Sequence, residues 1–81
     1  MDTKLTDALL TAAQLICDEV SFEGGSDACL LLEDKMDDLE NATAEVRAAA
    51  APEIWKQAES LCVRHALGSP QRFLDEAKQM V

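Results

Sequence analysis

The sequence predicts a small all-α protein: one domain, built as a bundle or helical hairpin of three to four helices. Apolar residues recur at alternating steps of three and four along most of the 81 residues, which is the spacing of helices with one buried stripe. Alanine and aliphatic side chains dominate, whereas the chain has only two phenylalanines, one tryptophan, three glycines and two prolines. Such a short chain forms one domain with a small core.

The first helix is predicted over residues 3–21. Its apolar stripe consists of Leu5, Leu9, Ala12, Ile16 and Val20. Gly24 and Gly25 are expected to end this helix, because consecutive glycines supply the open backbone of a tight connection. Ser26 is expected to cap the helix that follows.

The second helix is predicted over residues 27–50 and would be the longest. Its stripe is a seven-residue repeat of Cys29, Leu32, Met36, Leu39, Thr43, Val46 and Ala50. A helix of about 25 residues is roughly 37 Å long, whereas a compact domain of this size is only about 30 Å across. We therefore expect this helix to bend, or to be covered by a second copy of the chain in a homodimer.

Pro52 is expected to separate the second helix from the third. Proline has no backbone N–H and disfavours helical geometry in the residue before it, so a new helix is predicted over residues 52–67. Residues 68–70 then supply a helix-ending glycine, a capping serine and a first-turn proline, which predicts a fourth helix over residues 70–80.

The charge is −9 overall and is concentrated in the first half of the chain. Residues 1–45 carry twelve acidic and two basic side chains, about −10, whereas residues 46–81 carry four acidic and five basic ones, about +1. Direct binding to nucleic acid or to an anionic membrane is not expected, because both depend on clustered Lys and Arg. A partner protein with a basic surface is the expected complement.

Most of these acids are predicted to lie on one face of the second helix. They are Asp27, Glu33, Asp34, Asp37, Asp38, Glu40 and Glu45. Like charges three or four positions apart destabilise a helix by a few tenths of a kcal/mol per pair. The face is therefore either a solvated surface that keeps the protein in solution, or a docking surface on which a basic partner relieves the repulsion.

Four apolar residues lie off the buried stripes and are predicted anchors for a partner: Leu30, Leu31, Val63 and Leu67. The predicted function is a small acidic protein-binding module that inhibits or regulates a larger host protein through a helix face. Two alternatives remain open, a nucleic-acid mimic that blocks a basic groove and a self-associating structural module. In size and charge the chain is similar to phage and mobile-element proteins that disable host machinery, and to some antitoxins.

The sequence predicts no catalytic, cofactor or metal site. Cys17, Cys29 and Cys62 are interpreted as small buried side chains in a reducing, cytoplasmic compartment. His65 lies one turn after Cys62, but a structural zinc site would also require Cys17 and Cys29 to converge on the same point. No signal peptide and no membrane-spanning run is recognisable.

Overall fold

The computed structural model describes residues 3–22 and 27–81 and contains four α-helices, which confirms the all-α prediction. The helices are α1 (Thr3–Phe22), α2 (Asp27–Leu39), α3 (Ala44–Arg64) and α4 (Pro70–Met80). The described part of the chain contains no strand. The turn predicted at Gly24 and Gly25 and the cap predicted at Ser26 lie outside the described residues.

Helix α1 is the centre of the bundle. It packs against all three other helices, and α3 also packs against α2 and α4. Three of its buried side chains, Ala8, Ala12 and Ala13, are small enough to let neighbouring helices approach closely, while Ile16 and Val20 fill the space between them. The remaining core comes from Cys17 of α1, Cys29, Leu32 and Leu39 of α2, Ile54, Ala58, Leu61 and Cys62 of α3, and Phe73, Leu74 and Ala77 of α4.

The prediction of one continuous helix over residues 27–50 is wrong. Helix α2 ends at Leu39, residues 40–43 form a turn, and α3 begins at Ala44. Thr43, which the repeat assigned to the buried stripe, is instead the N-cap of α3, and its hydroxyl oxygen accepts a hydrogen bond from the Val46 amide at 3.3 Å. The cap satisfies one of the free amides at the start of the new helix, and the turn lets α2 fold back against α3.

The break predicted at Pro52 is also wrong, because Pro52 lies inside α3. Its ring is exposed, whereas Ala51 and Ile54 on either side of it are buried. The preceding alanines have the highest helix propensity of any residue, and burial of the neighbouring apolar side chains offsets the lost backbone hydrogen bond. Helix α3 ends at Arg64, three residues before its predicted end, and Ala66 and Gly68 then turn the chain with φ of 54° and 96°.

The molecule measures 34 × 24 × 17 Å. Helix α3, with 21 residues, is the longest helix and spans about 32 Å, so it fits within the longest dimension. The overhanging rod on which the homodimer prediction depended is therefore absent. Among the described residues, no helix has the length and apolarity needed to cross a membrane.

Candidate protein-binding surface

One side of α2 is turned away from the core and carries both acidic and apolar side chains. The helical period places Asp27, Leu30, Leu31, Asp34, Asp37 and Asp38 on the arc opposite the buried stripe of Cys29, Leu32 and Leu39. All six are exposed, and the two leucines have 60% and 63% of their surface accessible. We call these six residues the α2 outer face.

The acids of this face have no cationic partner in the part of the chain that the structure describes. Among the described residues Asp34, Asp37 and Asp38 take part in no ion pair, and the salt bridge between Arg47 and Asp7, 3.1 Å long, joins α3 to α1 instead. Asp37 and Asp38 also lie in the last turn of α2, where the helix dipole is negative and disfavours further negative charge. This arrangement opposes folding of the helix.

The other three predicted acids do not belong to the α2 outer face. Glu33 is half-buried at the edge of the helix, close to the core cysteines. Glu40 is exposed in the turn after α2, and Glu45 lies in the first turn of α3, where the positive end of the helix dipole stabilises it. The predicted acidic face is thus divided among α2, the turn and α3.

The four predicted apolar anchors also separate. Leu30 and Leu31 lie together in the first turns of α2, whereas Val63, which is 72% exposed, lies near the end of α3. Leu67 is half-buried and packs against the core, so much of its surface is already used inside the fold. An apolar residue that the sequence interpretation overlooked is Phe22, the last residue of α1, which is 91% exposed.

A shallow groove of about 230 Å³ lies between α2 and α3 and borders the α2 outer face at Asp38. Leu39 and Ile54 form its apolar floor, and its rim contains Lys35 and Glu53. A groove of this size has room for one apolar side chain.

A second cluster lies where α1 meets the start of α2. The Cys17 and Cys29 sulfur atoms and a Glu33 carboxylate oxygen all lie within 4.8 Å of one another. Both thiols are buried, which confirms their prediction as buried side chains, and Glu33 is half-buried. Burial raises the pKa of the Cys17 thiol far above its ordinary value, and the hydrogen-bonded Cys29 thiol and the Glu33 carboxylate raise it further.

The surroundings of Cys29 explain how the sequence holds this cluster together. Cys29 Sγ lies 3.4 Å from the Cys17 carbonyl oxygen, 3.7 Å from Ser21 Oγ and 3.8 Å from Glu33 Oε1. Ser21 follows Cys17 by four positions on α1, and Glu33 follows Cys29 by four positions on α2, so each pair shares one helix face. The sequence interpretation did not find this cluster, although the two i, i+4 spacings were its available signal.

Cys62 and His65 do not join the cluster. Cys62 Sγ donates a hydrogen bond to the Gly68 carbonyl oxygen at 3.3 Å, and burial raises the pKa of this thiol, with Arg72 acting in the opposite direction. His65 is the C-cap of α3, and its Nε2 atom is buried without a partner among the described residues. The four-ligand arrangement considered from the sequence, with Cys17, Cys29, Cys62 and His65 around one ion, is therefore not formed.

No protein-family model, curated protein or solved structure matches this chain.

Proposed function

We propose that this protein is a small acidic binding module that inhibits or regulates a larger protein, and that it acts without catalysis by docking the α2 outer face on a basic surface of that partner. The observation that carries the proposal is the composition of this face, in which Leu30 and Leu31 are exposed beside Asp34, Asp37 and Asp38.

This face disfavours the folded state of the isolated chain in two ways. Its acids repel one another at spacings of three and four residues, and two of them lie at the negative end of the helix dipole. A basic partner removes both effects on binding, since its Lys and Arg side chains supply the missing counter-charge. Burial of the two leucines then supplies affinity that does not depend on salt.

The leucines favour a partner surface with an apolar centre over the nucleic-acid-binding groove that a mimic would block. A groove that binds phosphates is lined with cationic and polar groups and offers little apolar surface on which two leucines could be buried. Adjacent apolar and charged residues are instead typical of a protein interface with an apolar centre and a polar rim. The groove beside Asp38, with its Leu39 and Ile54 floor, extends the same surface.

The test begins with capture of the partner from nuclease-treated host lysate, followed by affinity measurements on the purified pair. The first variant is D34K/D37K/D38K, which places like charges against the partner, and the second is L30A/L31A. The matched control, E19K/D75K/E76K, makes the same change in net charge at exposed acids of α1 and α4.

We expect the α2 reversal to lower affinity about a hundredfold at low salt and the leucine variant to lower it about tenfold or more, also at high salt. The control should stay within about threefold of the natural chain. The proposal fails if both α2 variants keep their affinity, or if the control loses as much as the α2 reversal. A partner released by competing DNA, with affinity insensitive to the leucine variant, would favour mimicry instead.

A further inference from the structure

We propose that Cys17, Cys29 and Glu33 form a binding site for one zinc ion that joins α1 to α2. Two thiolates and one carboxylate would be three of its four ligands, and water or the Ser21 hydroxyl would occupy the fourth position. This site is independent of the proposed docking function, because its ligands lie between the helices and not on the α2 outer face.

The donor atoms are of the right kind and come from both helices. Zinc binds cysteine sulfur and carboxylate oxygen in tetrahedral geometry, and sites with three protein ligands keep the fourth position open. The Cys17 ligand comes from α1, whereas Cys29 and Glu33 come from successive turns of one face of α2. The ligands therefore span the interface between two helices, as ligands of a bundle site do.

The distances also fit with little movement. In a tetrahedral zinc site a sulfur and an oxygen ligand are about 3.6 Å apart, from zinc–sulfur and zinc–oxygen bonds of about 2.3 and 2.1 Å. Cys29 Sγ and Glu33 Oε1 are already 3.8 Å apart. The Cys17 sulfur lies within 4.8 Å of both, so a side-chain adjustment of about 1 Å brings it into the same tetrahedron.

The atoms around Cys29 also suit a cation. Three oxygen atoms, from the Cys17 carbonyl, Ser21 and Glu33, lie 3.4–3.8 Å from a sulfur that carries a single thiol hydrogen. These oxygen atoms, together with the Cys17 sulfur within 4.8 Å, concentrate electron-rich atoms beside Cys29 Sγ. A zinc ion that replaces the two thiol protons, which pass to the solvent, balances this concentration of electron-rich atoms.

The experiment uses the full chain, reduced with a phosphine and freed of metal with a chelator that is then removed. Cadmium is the first probe, because its thiolate bonds give an ultraviolet charge-transfer band whose intensity counts the sulfur ligands. Zinc affinity is then measured by competition against a chromophoric chelator. The variants are C17S, C29S and E33Q, and C62S is the matched control because Cys62 is a buried thiol outside the cluster.

We expect one cadmium per chain, with the band of two thiolates, and saturable zinc binding. C17S and C29S should each halve the cadmium band and weaken zinc binding at least about a hundredfold, and E33Q should weaken it about tenfold. Zinc should also raise the melting temperature of the natural chain and of C62S, but not of C17S. Circular dichroism of each metal-free variant establishes that it is folded.

Four results would overturn the site. They are a cadmium–thiolate band that is unchanged in C17S, a loss of the band or of zinc affinity in C62S equal to that in C17S, one bound cadmium ion per two chains, and no saturable zinc binding at micromolar concentration. Formation of a Cys17–Cys29 disulfide as the only reaction of the pair, detected by mass as the loss of two hydrogens under a mild disulfide oxidant, would likewise replace the zinc proposal.

Discussion

Helices α1 and α2 are neighbours, yet they differ in how much of their surface is buried in the core. Helix α1 packs against every other helix and buries six side chains, whereas α2 packs against α1 and α3 and buries three. Helix α1 contains two exposed large apolar residues, Leu5 and Phe22, near its two ends; α2 exposes two adjacent leucines among unpaired acids along its outward side. Stability therefore resides mainly in α1, and the surface that we propose for recognition lies on α2.

The largest expected effect is a loss of stability at the centre of α1. Ile16→Ala removes a completely buried side chain from the helix that packs against all the others and should lower the free energy of unfolding by about 2–5 kcal/mol. Leu31→Ala, on the α2 outer face, should change it by less than about 0.5 kcal/mol. Urea denaturation with a common slope measures both. Equal losses would mean that the two helices do not divide these tasks.

Alkaline pH should weaken the contact between the two helices. The pKa of Cys17 is raised in the folded protein, so its stabilising effect is complete below the unfolded value near 9.0 and is lost as the pH rises toward the folded value. With metal chelated, stability should fall above that pH by up to about 1.4 kcal/mol per pH unit for this thiol. Cys17→Ala should make the free energy of unfolding less dependent on pH. Urea denaturation between pH 8 and about pH 10.5, a range that brackets the usual thiol pKa, measures this dependence.

Cys62→Ala is the comparison for this experiment. The pKa of Cys62 is also raised by burial, but Arg72 acts against the rise, so its removal should reduce this pH dependence less than Cys17→Ala does. If only Cys62→Ala reduces the loss of stability at alkaline pH, the sensitive thiol is the one between α3 and α4 and not the one between α1 and α2.

The third prediction concerns the end of α2. Thr43→Ala removes the cap of α3 and should cost about 1 kcal/mol, while Thr43→Ser should keep most of the natural stability. If residues 27–50 formed one helix, the alanine variant would be the more stable one, since alanine has the higher helix propensity. Thermal and urea unfolding of the two variants therefore decide between a turn and a continuous helix.

The smallest expected effect is a gain in stability on removing charge from the α2 outer face. D34N/D37N/D38N removes repulsion within α2 and two charges at its negative end, and should raise stability by about 0.5–1 kcal/mol at low salt. The gain should shrink in 1 M salt, where such charges are screened. Asp27→Asn in the first turn should have the opposite sign, a loss of a few tenths of a kcal/mol, because Asp27 complements the helix dipole. A gain for Asp27→Asn would contradict this account.

The sequence was sufficient to predict an all-α bundle of three to four helices, and it located α1 and α4 to within one residue. Both helices have a clear apolar stripe, and Ser69 and Pro70 mark the start of α4. The α2–α3 boundary was missed because the apolar repeat runs through the turn without interruption, so the period gave no sign of a break. The local signal of the boundary is Thr43, whose hydroxyl group caps α3, although its position also fits the apolar repeat.

At Pro52 the opposite occurs: the local signal, a proline, predicts a helix break that the structure does not contain. A proline usually ends a helix, but here the ring is exposed and the buried neighbours Ala51 and Ile54 hold the helix together. The α2 outer face could be predicted in part, because Leu30, Leu31 and the aspartates share one helical arc. For the cysteine cluster the sequence supplies only the two i, i+4 pairs, because the contact between them depends on how α1 and α2 meet in space, which the helical period of either helix alone does not determine.

The small side chains of α1 have a consequence for how this protein can change over evolution. At Ala8, Ala12 and Ala13 almost any substitution adds volume to a packed core and costs about 1–3 kcal/mol. The α2 outer face has no such constraint, because its side chains project into solvent. The fold can therefore accept a new recognition sequence on α2 while α1 stays fixed, so the same scaffold is suited to selection, in nature or in the laboratory, for binding to different targets.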